Sequence, residues 1–187
     1  LLFISMNNIY GQAAIDIRLT LTDKQGGTKQ LRFGLDPAAT NNIDPALGES
    51  DLPPFPPTGV FEARWTLNFA PISRNLSSHW DYRNAPAFPF TGPVTHRILW
   101  QYSEFATSMT FTYNLPVGAE MVITSNNSTP LWTTGTLTGS GTYVLSDPDN
   151  EYTAARVFVT YTNIAPIVLG PAIDLAPSSL AFGNVNV

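Results

Sequence analysis

The chain has 187 residues, room for one all-β domain of ordinary size, and no cysteine, which excludes disulfides, thiolate catalysis and thiolate metal sites together. Charged residues make up 12%, about half the usual share of a globular chain, while apolar residues reach 43%, enough for a substantial core. A net charge of −5 with nine scattered Lys and Arg leaves no basic patch for nucleic acid or anionic lipid.

Residues 1–12, LLFISMNNIYGQ, read in either of two ways: as the end of an apolar signal region with its cleavage zone, or as an N-terminal strand. The apolar run is too short to span a membrane, which takes about 20 residues. Ile15, Ile17, Leu19 and Leu21 then alternate with polar residues, residues 23–27 (DKQGG) turn the chain, and Leu31, Phe33 and Leu35 alternate again. This predicts an antiparallel hairpin over 13–35, with one face inward. From Asp36 to Gly59 the prolines at 37, 45, 53, 54, 56 and 57 fix φ and remove donors, so no central strand or long helix can pass. A loop this long and stiff is expected to pack down through Ile43, Leu47, Leu52 and Phe55.

After the loop, Phe61, Ala63, Trp65, Leu67 and Phe69 give the longest clean alternation and predict a central strand. Residues 70–92 read as loop with at most a short strand near 80–83. Further strands are predicted at Val94 to Tyr102, Met109 to Tyr113, 121–124 and Ala155 to Tyr161, with a hairpin-like group joining 131–132 to 143–145. No stretch carries helical periodicity. The prediction is an all-β, antiparallel immunoglobulin-like or jelly-roll sandwich over 13–163, with a long proline-rich loop, extended terminal strands, and 164–187 as a C-terminal linker or strand.

Three segments carry a resemblance: F-G-L-D-P-x-A-T at 33–40, I-D-x-x-L-G-E at 43–49 and L-P-P-x-P-P-x-G-V-F-x-A-R at 52–64. This order resembles a β-sandwich module of large secreted bacterial proteins, many of them carried by the type IX secretion route. Residues 176–187, APSSLAFGNVNV, are similar to the opening strand of immunoglobulin-like domains of the ASPM/SPD-2/Hydin type. The resemblance implies a sandwich fold and a secreted, extracellular or cell-surface location. It brings no catalytic residue and no ligand.

Few residues offer chemistry. Asp36 and Asp44, with Asn41, Asn42, Glu49 and Asp51, are hard oxygen ligands of the kind Ca²⁺ takes in sets of six to eight. Asp36 and Asp44 are the calcium candidates, although the spacing is not an EF-hand and aspartate before proline also serves as a turn or cap. Trp80 and Trp132 lie beside turns and, with Tyr82 of the aromatic and charged loop 79–83, are the candidates for a carbohydrate-stacking platform, whereas Trp65 and Trp100 fall on apolar strand faces and read as core. His96 alternates with Val94 and Ile98 and reads as a satisfied inward or edge residue. Ser140, in Thr-Gly-Ser-Gly-Thr, lacks the outer glycines of a nucleophile elbow at the right offsets and reads as a turn. No activated nucleophile or base emerges, so the chain is not expected to be an enzyme.

The two chain ends are apolar beyond what the predicted core absorbs. A strand with one apolar face seeks a sheet edge, since burying each Leu, Val or Phe contributes roughly 1.5–3 kcal/mol. The expectation is a secreted structural subunit that polymerises head to tail into a filament, with Leu175, Leu180, Phe182, Val185 and Val187 of the tail, or else the head from Leu1 to Ile9, as the donated strand. The alternative is a carbohydrate-binding accessory module of a larger secreted protein.

Overall fold

The computed structural model describes residues 12–67 and 76–166. In chain order the strands are β1 (Ile15–Asp23), β2 (Thr28–Asp36), β3 (Glu62–Thr66), β4 (Ser77–Ser78), β5 (Trp80–Asn84), β6 (Phe90–Gln101), β7 (Ser108–Asn114), β8 (Ala119–Ser125), β9 (Ser140–Ser146) and β10 (Ala154–Ile164). They form two five-stranded sheets, ordered β5-β2-β1-β7-β9 and β4-β3-β6-β10-β8. The fold is therefore the all-β sandwich that the alternation predicts. Helical structure among the described residues is one 3₁₀ turn, Pro45–Leu47.

The period-2 pattern decides which side chains meet between the sheets. Ile17, Leu19, Leu21, Leu31, Phe33 and Phe111 of the first sheet pack against Trp65, Ile98, Trp100, Met121, Val157 and Val159 of the second, all fully buried. At the centre the Phe33 ring lies 5.5 Å from Trp65 and 5.2 Å from His96, edge to face in both cases. The Trp65 indole N–H crosses between the sheets and donates to the Arg32 carbonyl at 2.7 Å. Trp65 and Trp100 are core residues, as their strand positions predict.

The expected β1–β2 hairpin is present, its register running from Ile15 opposite Leu35 to Thr22 opposite Thr28. Asp23 closes its turn by accepting from the N–H groups of Gln25 and Gly27 at 3.0 and 2.8 Å.

Three expectations are corrected. The strand after the proline loop is not central: β3 pairs outward with the two-residue β4, and the middle of that sheet is the 12-residue β6. Pro93 is tolerated there because β3 reaches β6 only from Ile98 to Gln101, so the N-terminal half of β6 is paired with β10 alone. Leu131-Trp132 and β9 are not a hairpin: the first runs beside β8 in one sheet, and β9 pairs with β7 in the other. Finally, β5 joins β2 in parallel, with Arg32 opposite Trp80 and Asp36 opposite Asn84. Phe69 and the predicted terminal strands lie outside the described residues.

Candidate functional site: an open sheet edge and a sealed polar network

Each edge of a sheet presents a row of backbone N–H and C=O groups unless something covers it. The four edges here are β5, β9, β4 and β8. The proline loop covers two of them. On β4, Leu52 N–H donates to the Ser77 carbonyl at 2.9 Å, and Ser77 N–H donates to Asp51 Oδ1 at 3.2 Å. On β5, Tyr82 N–H donates to Glu49 Oε1 at 2.7 Å, while Glu49 Oε2 accepts from Asp44 N–H at 3.0 Å. One buried carboxylate thus ties loop to strand, and its burial pushes its pKa up to about 7 against the pull of those two N–H groups. Arg64 fastens the middle of the loop, donating to the Pro53 carbonyl at 2.6 Å with its guanidinium 4.0 Å from the Phe55 ring centroid.

The third edge, β8, is covered by residues 131–137. Ser125 N–H donates to the Trp132 carbonyl at 3.1 Å, Thr134 N–H donates to the Ile123 carbonyl at 2.9 Å, and Met121 and Leu137 exchange bonds of 3.0 and 2.8 Å.

The fourth edge differs. The ladder between β7 and β9 is bracketed by Asp147 N–H donating to the Thr107 carbonyl and Leu115 N–H donating to the Gly139 carbonyl. Antiparallel alternation then turns the odd-numbered residues of β9 toward β7, and the N–H and C=O groups of Thr142 and Val144 away from it. Among the described residues no strand lies on that side. The edge reads Ser-Gly-Thr-Tyr-Val-Leu-Ser, without charge or proline, and Val144 is 59% exposed. The lysines, prolines and bulges by which edges are commonly guarded are missing from it. Sequence reasoning placed 143–145 on a strand but not at an edge; the legible signal was that residues 121–146 contain no charged residue.

The buried polar network gathers around β5. His96 Nδ1 lies 2.7 Å from Asp81 Oδ2, to which Arg83 also donates at 3.0 Å, and Arg83 donates on to Asn41 Oδ1 at 3.1 Å. Burial pushes the His96 pKa down, opposed by Asp81, and Nε2 makes no hydrogen bond among the described residues. An acid–base pair of this kind is chemically competent, yet His96 and Asp81 are 0% and 1% exposed. On the other face of β5, the Tyr82 hydroxyl donates to Asp16 Oδ1 at 2.9 Å, Arg32 pairs with the same carboxylate, and its guanidinium lies 4.4 Å from the Trp80 ring centroid.

The predicted stacking platform is not assembled. Tyr82 is buried beneath the proline loop with Ala13, Ala39 and Leu47, and Trp80 packs on that same cluster. Trp132 stands at the opposite edge of the first sheet, stacked on Tyr143 at 6.5 Å and packed against Phe111 and Tyr152. Burial and sidedness remove these three from a common ligand face. Asp36 and Asp44 are also kept apart: Asp36 accepts from the N–H groups of Ala14 and Ala38 at 3.1 and 2.8 Å, and Asp44 accepts from the N–H and hydroxyl of Thr40 at 2.7 and 3.0 Å. They act as turn caps, and among the described residues no group of three or more His, Asp or Glu is placed to hold a metal ion. Leu175, Leu180, Phe182, Val185 and Val187 lie outside the described residues. Comparison with family models, curated proteins and solved structures finds no match to this chain.

Proposed function

We propose that this chain is a non-catalytic structural module, working outside the cell or on its surface, that assembles by β-strand addition: β9 accepts a strand from a neighbouring copy. The donor in this reading is the tail carrying Leu175, Leu180, Phe182, Val185 and Val187. One observation carries it. Among the described residues, three of the four sheet edges are closed by the chain itself, and the fourth is an uncharged strand with the N–H and C=O of Thr142 and Val144 turned outward. Added main-chain bonds would each contribute about 0.5–1.5 kcal/mol. Because donor and acceptor surfaces differ, the contact is heterologous and propagates unless it closes into a ring. The non-catalytic part is supported by the sealing of the Asp81–His96 pair, and the extracellular part by the resemblance of residues 33–64 to modules of secreted proteins.

The test is the mass and appearance of the full chain, by light scattering and negative-stain electron microscopy, beside a Thr142→Lys/Val144→Lys variant and a variant lacking residues 172–187. Polymers in the wild type and folded monomers in both variants are expected, since both lysines replace exposed residues. A wild type that stays monomeric at high concentration, or polymers that persist in the lysine variant, overturns the reading.

A further inference from the structure

At one end of the sandwich three loops enclose a cleft of about 910 Å³: residues 55–59 of the proline loop, 103–107 between β6 and β7, and 148–153 between β9 and β10. Trp100 and Tyr102 form its floor, both buried, their rings edge to face at 6.5 Å. Phe55 and Phe105 stand at its walls. Phe105 is 78% exposed and held at φ 64, a left-handed backbone that side chains other than Asn and Gly rarely adopt. Strain and an exposed ring are both unfavourable for folding, and neither serves the core.

The loops are tied in place by their own hydrogen bonds. Ser103 N–H donates to Asp23 Oδ2 at 2.7 Å, and Glu104 N–H donates to the Gly59 carbonyl at 3.0 Å. The Gln101 amide donates to the carbonyls of Pro57 and Val60 at 2.9 and 2.8 Å, drawing the proline loop onto β6. Asp147 accepts from the N–H groups of Glu151 and Tyr152 at 2.9 and 3.0 Å. The cleft is therefore preformed, and its size falls within the range of about 300–1,000 Å³ typical of ligand pockets.

Its chemistry selects the ligand class. Beside the rings lie the side chains of Thr58, Ser103, Thr107, Asn150 and Thr153, which donate and accept without charge. None of the described lining residues is cationic, and Glu104 is the charged one. An anion finds no counter-charge here, and a pure hydrocarbon would strip water from the hydroxyls without replacing it. A sugar satisfies both surfaces, laying its C–H face on a ring and turning its hydroxyls to the threonines and Asn150. We propose that this cleft binds a neutral oligosaccharide, with Phe105 as the stacking ring. The site is separate from the β9 edge and independent of assembly.

A panel of neutral and anionic glycans probed with the labelled full chain, followed by titration of the best binder, tests this. Phe105→Asn is the informative variant, because asparagine accepts the left-handed backbone and the ring is absent. It should lose about tenfold or more in affinity while melting at the same temperature as the wild type or higher, and Phe105→Trp should retain binding. Thr142→Lys/Val144→Lys should bind the glycan like the wild type, so that failure of the assembly reading leaves this one standing. Absence of any neutral-glycan binding, preference for anionic glycans, capture of a peptide in place of sugar, or full affinity in Phe105→Asn would each overturn the proposal.

Discussion

The carboxylate of Glu49 makes stability depend on pH in a direction opposite to that of an ordinary paired acid. Its pKa rises from the usual 4.5 to about 7, chiefly through burial, with the charges of Asp81 and Asp44 adding to the effect. A group that binds its proton more tightly when folded contributes stability that is fully present below its unfolded pKa and is lost as pH rises through the folded value. At 1.36 kcal/mol per pKa unit, the loss between about pH 5 and pH 8 is roughly 2–3 kcal/mol. His96 acts in the other direction: its lowered pKa removes stability as pH falls below the ordinary histidine value. Comparison of Glu49→Gln with the wild type cancels His96, since both proteins contain it. Urea unfolding followed by tryptophan fluorescence at a series of pH values should show the variant gaining on the wild type by about 2–3 kcal/mol from pH 5 to pH 8. Parallel stability curves, with a constant gap, would refute the assignment of this titration to Glu49.

Gly48→Ala should destabilise the fold by about 2–4 kcal/mol, combining overpacking and a left-handed β-carbon-bearing residue, because φ is 85 and an added Cβ would sit 1.8 Å from Cζ3 of Trp80; the urea midpoint reads it. Trp132→Ala should cost about 2–4 kcal/mol of stability, measured the same way, and leave glycan affinity unchanged, because the ring fills the gap between Phe111, Tyr143 and Tyr152 and does not line the cleft.

Where alternation is strict the sequence was a sufficient guide. Ile15 to Leu21 and Leu31 to Leu35 declare a strand pair, a turn and an inward face, and all three appear. Pairing at a distance was not legible, because a strand's own residues state which face is buried but not which neighbour lies beside it. Residues 131–132 and 143–145 are close in sequence and apolar, so a hairpin was the economical reading. The chain instead divides them between two sheets and uses Trp132 to bridge the gap. Candidate ligand residues failed for a related reason. Tyr82 and Trp80 look exposed beside their turns, and only the folded proline loop shows that a second small core forms over them. Phe105, by contrast, sits in Ser-Glu-Phe-Ala-Thr with no pattern around it, and the signal that singles it out, its φ, is a backbone property that sequence does not print.

The arrangement of β5 explains why the proline loop belongs to the domain and is not a tether. This strand reverses the usual assignment of faces: Asp81 and Arg83 point inward to His96, while Tyr82 points outward to Leu47, Ala39 and Ala13. An outward apolar face on an edge strand would be a site of aggregation in the absence of a cover. The loop supplies the cover with Leu47, the hydrogen-bond acceptor with Glu49 and the stiffness with its prolines, which lower the entropy lost on ordering. The inward charges are satisfied only if β5 takes this one register on β2, since a slip of one residue would exchange Asp81 for Tyr82 beside His96 and leave a buried imidazole unpaired. Register, cover and polar network therefore support one another on this side of the sandwich. Among the described residues no comparable device guards β9, and that bare edge is the one the proposed strand addition would use.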